Sequence, residues 1–234
     1  MNNLETININ KLKGNFMIFD TETADSVESP IPYDFSLAIY DTNFKIIYKQ
    51  CYLISEIWND FDRYSKSFYG ISKKGMYNEM LRKGKAKVIS AKNFNKELKQ
   101  LLTNNNIKMI CAYNLAFDMK AYQKLCLENG LVNHLEKKIK IDIQLVAQER
   151  LRGNKHFIKW CVKNNAVTPK GYCSVKVDYV YKYLFKSKKE EKHMGAEDIK
   201  QELKIFKQFI NENPIVIKNH YQSYETFLKD LKIY

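Results

Sequence analysis

Strand-forming runs open this chain and helical spacing follows, an order that leaves few folds available to it. Residues 15–20 (Asn-Phe-Met-Ile-Phe-Asp) form a short apolar run ending on an acid, the pattern of a buried strand. Residues 33–41 and 45–54 are rich in aromatic and branched side chains on either side of Asp41-Thr42-Asn43, which predicts a hairpin. A short helix is expected over 73–81, and Ser90 opens a clearer one in which Phe94, Leu98, Leu101 and Leu102 share a stripe. Residues 107–112 predict a fourth strand, 115–128 a helix closed by Asn129-Gly130, and 138–143 a fifth strand leading into a helix through Leu151. After Gly153 the pattern stays helical, with breaks near Thr168-Pro169 and over 186–192. A last strong helix spans 196–211, with Ile199, Leu203, Phe206 and Ile210 in register. The expected architecture is α/β: a mixed five-stranded sheet flanked by helices in one domain over 1–212, with 213–234 as a C-terminal helical extension packed on it.

Charge narrows the partners. A formal +13 over 234 residues favours polyanions such as nucleic acid. The same excess of Lys, Asn, Ile and Tyr also follows from AT-rich coding, so charge agrees with a nucleic-acid partner without establishing one. The five cysteines are odd in number, scattered and free of any C-x-x-C pair, which argues against a zinc site or a disulfide framework. No signal peptide and no membrane-length apolar run is evident, so a cytoplasmic protein without membrane contact is expected.

Three acidic segments carry the chemistry. In Phe19-Asp20-Thr21-Glu22-Thr23, extended backbone places Asp20 and Glu22 on one side of the strand, where two carboxylates repel unless a cation lies between them. Hard oxygen ligands of this kind suit Mg²⁺ or Mn²⁺. Alone, D-x-E is a weak signal that more often marks a solvated loop after a strand. In Ala112-Tyr113-Asn114-Leu115-Ala116-Phe117-Asp118, a strand hands over to a helix whose first turn holds Asp118, a position the helix dipole favours in any case. Asn114 stands where an N-cap would. In His193-Met194-Gly195-Ala196-Glu197-Asp198, a loop histidine precedes a helix-borne carboxylate.

D-x-E after a first strand, N-x-x-F-D at a strand–helix junction and H-x-x-x-x-D opening a late helix together resemble the DnaQ-like DEDD 3′–5′ exonucleases of the ribonuclease H-like superfamily, in their histidine-bearing (DEDDh) subclass. The motifs occur in the family's order between residues 20 and 198. The resemblance implies that Asp20, Glu22, Asp118 and Asp198 hold two Mg²⁺ or Mn²⁺ ions and that His193 is the general base. Thr21, Thr23, Asn114 and Phe117 are the expected substrate-side neighbours, with Phe117 packing beside Asp118 and Asn114 supporting its loop. Asp142 would be supporting rather than ligating. Where many members carry His before the second-motif Asn, this chain has Tyr113, which bears on substrate contacts rather than on metal binding.

The function so implied is hydrolysis of single-stranded or frayed DNA or RNA from the 3′ end, by a stand-alone enzyme or a subunit beside a polymerase or replication partner. A small-oligonucleotide exoribonuclease and an inactive ribonuclease H-like binding module are the alternatives. The basic tract Lys73, Lys74, Arg82, Lys83, Lys85 and Lys87, with Phe68, Tyr69 and Tyr77 beside it, has the composition of a single-strand track and equally that of a solvated lysine face with core aromatics.

Overall fold

A computed structural model describes residues 5–7, 14–187, 192–210 and 215–217, with backbone alone at 5–7 and 215–217. The strands are β1 (Glu5–Ile7), β2 (Asn15–Ala24), β3 (Ile31–Tyr40), β4 (Ile46–Ile54), β5 (Ala86–Ile89), β6 (Ile107–Ala112), β7 (Ile139–Asp142) and β8 (Ile215–Ile217). The helices are α1 (Ser55–Trp58), α2 (Phe61–Tyr64), α3 (Gly70–Arg82), α4 (Ala91–Asn104), α5 (Leu115–Glu128), α6 (Ile143–Leu151), α7 (Lys155–Lys163), α8 (Val177–Phe185) and α9 (Gly195–Ile210).

The main sheet is mixed, in the order β5-β4-β3-β2-β6-β7. β2, β3 and β4 form an antiparallel meander, and β5, β6 and β7 each join it in parallel. The expected hairpin forms at Asp41, whose carboxylate accepts from the Asn43 and Lys45 amides. All ten residues of β3 are buried, because helices cover both faces of the sheet. One core layer joins Phe19, Phe35, Tyr52, Phe94 and Tyr122, with the Phe19 and Phe35 rings stacked at 5.1 Å. The other joins Phe16, Ile18, Ala38, Phe157, Val180 and Phe206 beneath α6 to α9. Phe16 to Phe19 of β2 therefore alternate between two hydrophobic layers, which fixes the register and the side-chain directions of the strand as far as Glu22.

Two expectations need correction. The sheet has six strands rather than five. The extra one, Ala86-Lys87-Val88-Ile89, is a four-residue edge strand whose lysine and exposed Val88 carry little apolar signal. Of the segment expected to be a helical extension, only 215–217 are described, and these form a strand pairing antiparallel with β1 through Thr6 and Val216. An Ile-Val-Ile run resists helix and favours extended backbone. The rest of 213–234, like residues 188–191 of the expected break before His193, lies outside the described residues.

The junction that carries Asp118 is built by Asp142. Its carboxylate caps α6 by accepting from the Gln144 and Leu145 amides, and it also accepts from the amide of Asn114, which holds the left-handed turn (φ 67°) that starts α5. Asp142→Ala removes a cap and a turn anchor together. The expected cost is about 2 kcal/mol, read as a fall in melting temperature on the order of 4–8 °C. A fall of less than about 1 °C would show that the junction holds without it.

Candidate active site

Asp20 and Glu22 lie two residues apart on β2, so both point to the face covered by α9. Register sets Ser36 opposite Asp20 and Asp34 opposite Glu22, and the ladder shifts immediately after Glu22. Asp198 enters from the first turn of α9, fully buried. Both of its oxygens are oriented by backbone amides, at 3.0 Å from Lys192 and 2.7 Å from Met194. Oxygens of Asp20, Glu22 and Asp198 lie within 4.8 Å of one another, a metal-ligand spacing. α9 approaches this closely because it begins with Gly195. A Cβ there would meet the Ser36 Cβ at 2.8 Å and Asp20 Oδ2 at 3.1 Å.

Asp118 stands in the first turn of α5 and is buried. One of its oxygens accepts from the amide and the hydroxyl of Thr21, at 2.9 and 2.7 Å. It falls outside the group of three but is near enough for its charge to act on Asp20. Burial raises the Asp20 carboxyl well above its ordinary pKa, and the charges of Glu202, Asp118, Glu22 and Asp198 raise it further. Burial likewise raises Asp118 and Asp198, against the amides and hydroxyl that stabilise their ionised forms.

His193 is half-buried on the loop before α9, with a left-handed backbone (φ 51°). Its ring stacks on Tyr69, centroids 3.8 Å apart and planes within 6°. Burial first, and Lys73 second, lower its pKa below the ordinary value. Among the expected substrate-side residues, the Thr21 hydroxyl faces Asp118, and Asn114 supports its turn through backbone rather than side-chain capping. Phe117 is half-buried and Thr23 lies just past the register shift. Tyr113 is buried and donates to the Val175 carbonyl at 2.5 Å, so it ties β6 to the approach of α8.

Two acids escaped the sequence reading. Glu202, 1% exposed, lies one turn beyond Asp198 on α9, and its charge acts on Asp20 more strongly than that of any other neighbour. Asp34 is wholly buried within β3. The signal in each case is an acid inside an apolar stripe: Glu202 between Ile199 and Phe206, Asp34 between Tyr33 and Phe35.

The basic tract is partly committed elsewhere. Lys87 pairs with Glu97 at 2.6 Å and covers the Tyr52 ring at 4.9 Å, Lys83 pairs with Glu79, and Tyr77 is buried. Phe68, 87% exposed, is the most exposed aromatic of the tract. An open cavity of about 870 Å³ lies beside α5, lined by Lys120, His134, Lys137 and Lys140 among others, and none of the site carboxylates lines it.

No family model and no curated protein matches the sequence. Solved structures do match. E. coli Exonuclease I in complex with a dA16 oligonucleotide superposes with a TM-score of 0.58 and 16% identity over 85% of this chain. This chain spans only 40% of that protein's length. Cell-death related nuclease 4 (CRN-4) gives 0.55 and 10% identity over 86% of this chain and 65% of its own. A 3′-exonuclease that recognises the histone mRNA stem-loop gives 0.60 and 11% over 93% of this chain and 75% of its own. The chain thus has the ribonuclease H-like fold that these nucleases share. Among the described residues, no helix is long and apolar enough to cross a membrane.

Hard carboxylate oxygens at this spacing fit Mg²⁺ or Mn²⁺. Because the folded-state pKa of Asp20 is raised, ionising it weakens the metal-free fold, and stability falls as pH rises from the unfolded value through the folded one. Asp20→Asn is therefore expected to melt above metal-free wild type at about pH 8 and to lose that advantage near pH 4. Saturating Mn²⁺ should raise the wild type and leave the variant nearly unmoved. An Asp20→Asn protein that melts below wild type at both pH values contradicts this electrostatic reading.

Proposed function

We propose that this protein is a divalent-metal-dependent 3′–5′ exonuclease of the histidine-bearing DEDD type. The observation that carries the reading is the convergence of Asp20, Glu22 and Asp198 within 4.8 Å on a ribonuclease H-like fold. Asp118 stands close by through Thr21. In this reading Asp20, Glu22, Asp118 and Asp198 hold two Mg²⁺ or Mn²⁺ ions. Bound there, such ions polarise the scissile phosphate and acidify the attacking water.

The residues of the chain do the rest. Asp20, Glu22 and Asp198 would together hold the ion that activates the water, and Asp20 and Asp118 would contribute to the second. Asp198 is held in aim by two backbone amides, so little reorganisation is needed as charge develops. His193 takes the proton of the water as its oxygen bonds to phosphorus. The bond from phosphorus to the 3′-oxygen breaks, that oxygen takes a proton from solvent, and a nucleoside 5′-monophosphate departs while His193 returns its proton to solvent. A half-buried imidazole with a lowered pKa is neutral, and able to accept that proton, across the whole neutral range. Excess positive charge elsewhere draws the polyanion towards an otherwise acidic site.

Single strands of DNA and of RNA, labelled at the 5′ end, are the direct substrates to test with Mg²⁺, Mn²⁺ and chelator. Stepwise shortening from the 3′ end is expected, abolished by chelator and by Asp20→Ala, and reduced about 10²- to 10⁴-fold by His193→Ala. Degradation by wild type no faster than by Asp20→Ala would end the enzymatic reading. Comparing the two polymers assigns the substrate.

The pH profile is an independent check. Since the His193 pKa is lowered, the acid limb of kcat/KM should fall below about pH 6.5, the ordinary histidine value, and vanish from the residual activity of His193→Ala. An acid limb above that value, or one unchanged in the variant, would remove His193 as the base.

A further inference from the structure

Asp34 is wholly buried within β3, and the proposed chemistry makes no use of it. Three side chains donate to its carboxylate. Ser36 Oγ at 2.7 Å and Cys51 Sγ at 3.4 Å share one oxygen, and the Tyr77 hydroxyl donates to the other at 2.7 Å. Burial raises the pKa of this carboxyl, and the three hydrogen bonds oppose that rise by favouring the ionised form, which only accepts. An apolar residue would fill the volume but strand these donors. An asparagine would offer one acceptor oxygen and turn its own N–H groups towards the others.

Two of these side chains lead to elements that enclose His193: Ser36, against which Gly195 packs, and Tyr77. Gly195 opens α9, two residues after His193 and three before Asp198, and packs directly on Asp20. Tyr77 lies on α3, whose N-cap residue, Tyr69, stacks on the His193 ring.

We propose that Asp34 is a positioning residue that clamps the start of α9 and helix α3 to β3, and so fixes His193 and Asp198 relative to Asp20 and Glu22. It touches neither substrate nor cation. Its catalytic consequence rests on the exonuclease reading above, whereas the clamp itself is a statement about His193. Small displacements matter because a shift of about 1 Å in a reacting group can cost on the order of a hundredfold in rate.

The test compares wild type, Asp34→Asn, Tyr77→Phe and a core control, Phe157→Leu on α7, a buried ring remote from Asp34 in the sequence and in the other core layer from Tyr77. Rates are measured with Mn²⁺ on a labelled single strand, and the His193 imidazole resonances are read by NMR without substrate. Asp34→Asn should lower kcat by about a hundredfold with KM changed less than about threefold, and Tyr77→Phe should lower it by about tenfold. Both should move the His193 resonances, while Phe157→Leu, despite its lower melting temperature, should leave rate and resonances near wild type. Unmoved resonances in Asp34→Asn and Tyr77→Phe, or an equal loss of kcat in Phe157→Leu, would overturn the proposal. If Asp34→Asn does not fold, Tyr77→Phe decides by the same criteria. If wild type hydrolyses nothing, the exonuclease reading fails; shifted His193 resonances in the two variants then still support the clamp, and unshifted ones overturn it.

Discussion

Mutual repulsion among desolvated carboxylates around Asp20 is the constraint on which the rest of the structure depends. At an effective dielectric near 20, two unit charges about 5 Å apart repel by about 3 kcal/mol, and burial adds to the cost of each. Glu202, Asp118, Glu22 and Asp198 all act on Asp20 in this sense. The fold withstands it by giving the buried acids fixed donors: two amides for Asp198, an amide and a hydroxyl for Asp118, three side chains for Asp34. Arrangements that strain the metal-free state in this way are characteristic of functional sites rather than of stable cores.

The geometry around the carboxylates follows from how β2 is held. Hydrophobic layers on both faces of the sheet pin its alternation, so the acids two apart cannot slip to opposite sides. α9 then brings Asp198 down onto β2 and β3 because Gly195 lets its first turn lie against Ser36 and Asp20. α5 brings Asp118 from its own start, through a left-handed turn at Asn114 that Asp142 anchors. Three separate segments of sequence thus meet on β2 and at the first turns of α5 and α9, in a chain whose formal net charge is +13.

Much of this was legible in the sequence, and what was missed has physical reasons. Long periodic segments were readable: the helix at Leu115–Glu128 and the last helix, now Gly195–Ile210, stand where their apolar spacing put them. The spacing of Asp20 and Glu22 on a strand fixed their common face. β5 was not legible, because a four-residue edge strand with a lysine in it has no period to detect. Residues 215–217 read as helix because the context was helical, although their β-branched side chains favour a strand. Glu202 and Asp34 were overlooked because buried acids interrupt a pattern that is read for its apolar members. The pairing of Tyr69 with His193 joins residues more than a hundred positions apart, and no local rule foresees it.

The most direct test of the central claim is anomalous diffraction from crystals grown or soaked with Mn²⁺. The account predicts an anomalous peak between Asp20, Glu22 and Asp198, at about 2.1 Å from carboxylate oxygens, lost in Asp20→Asn. An ordered site with its carboxylates in place and no such peak at saturating Mn²⁺ would contradict it.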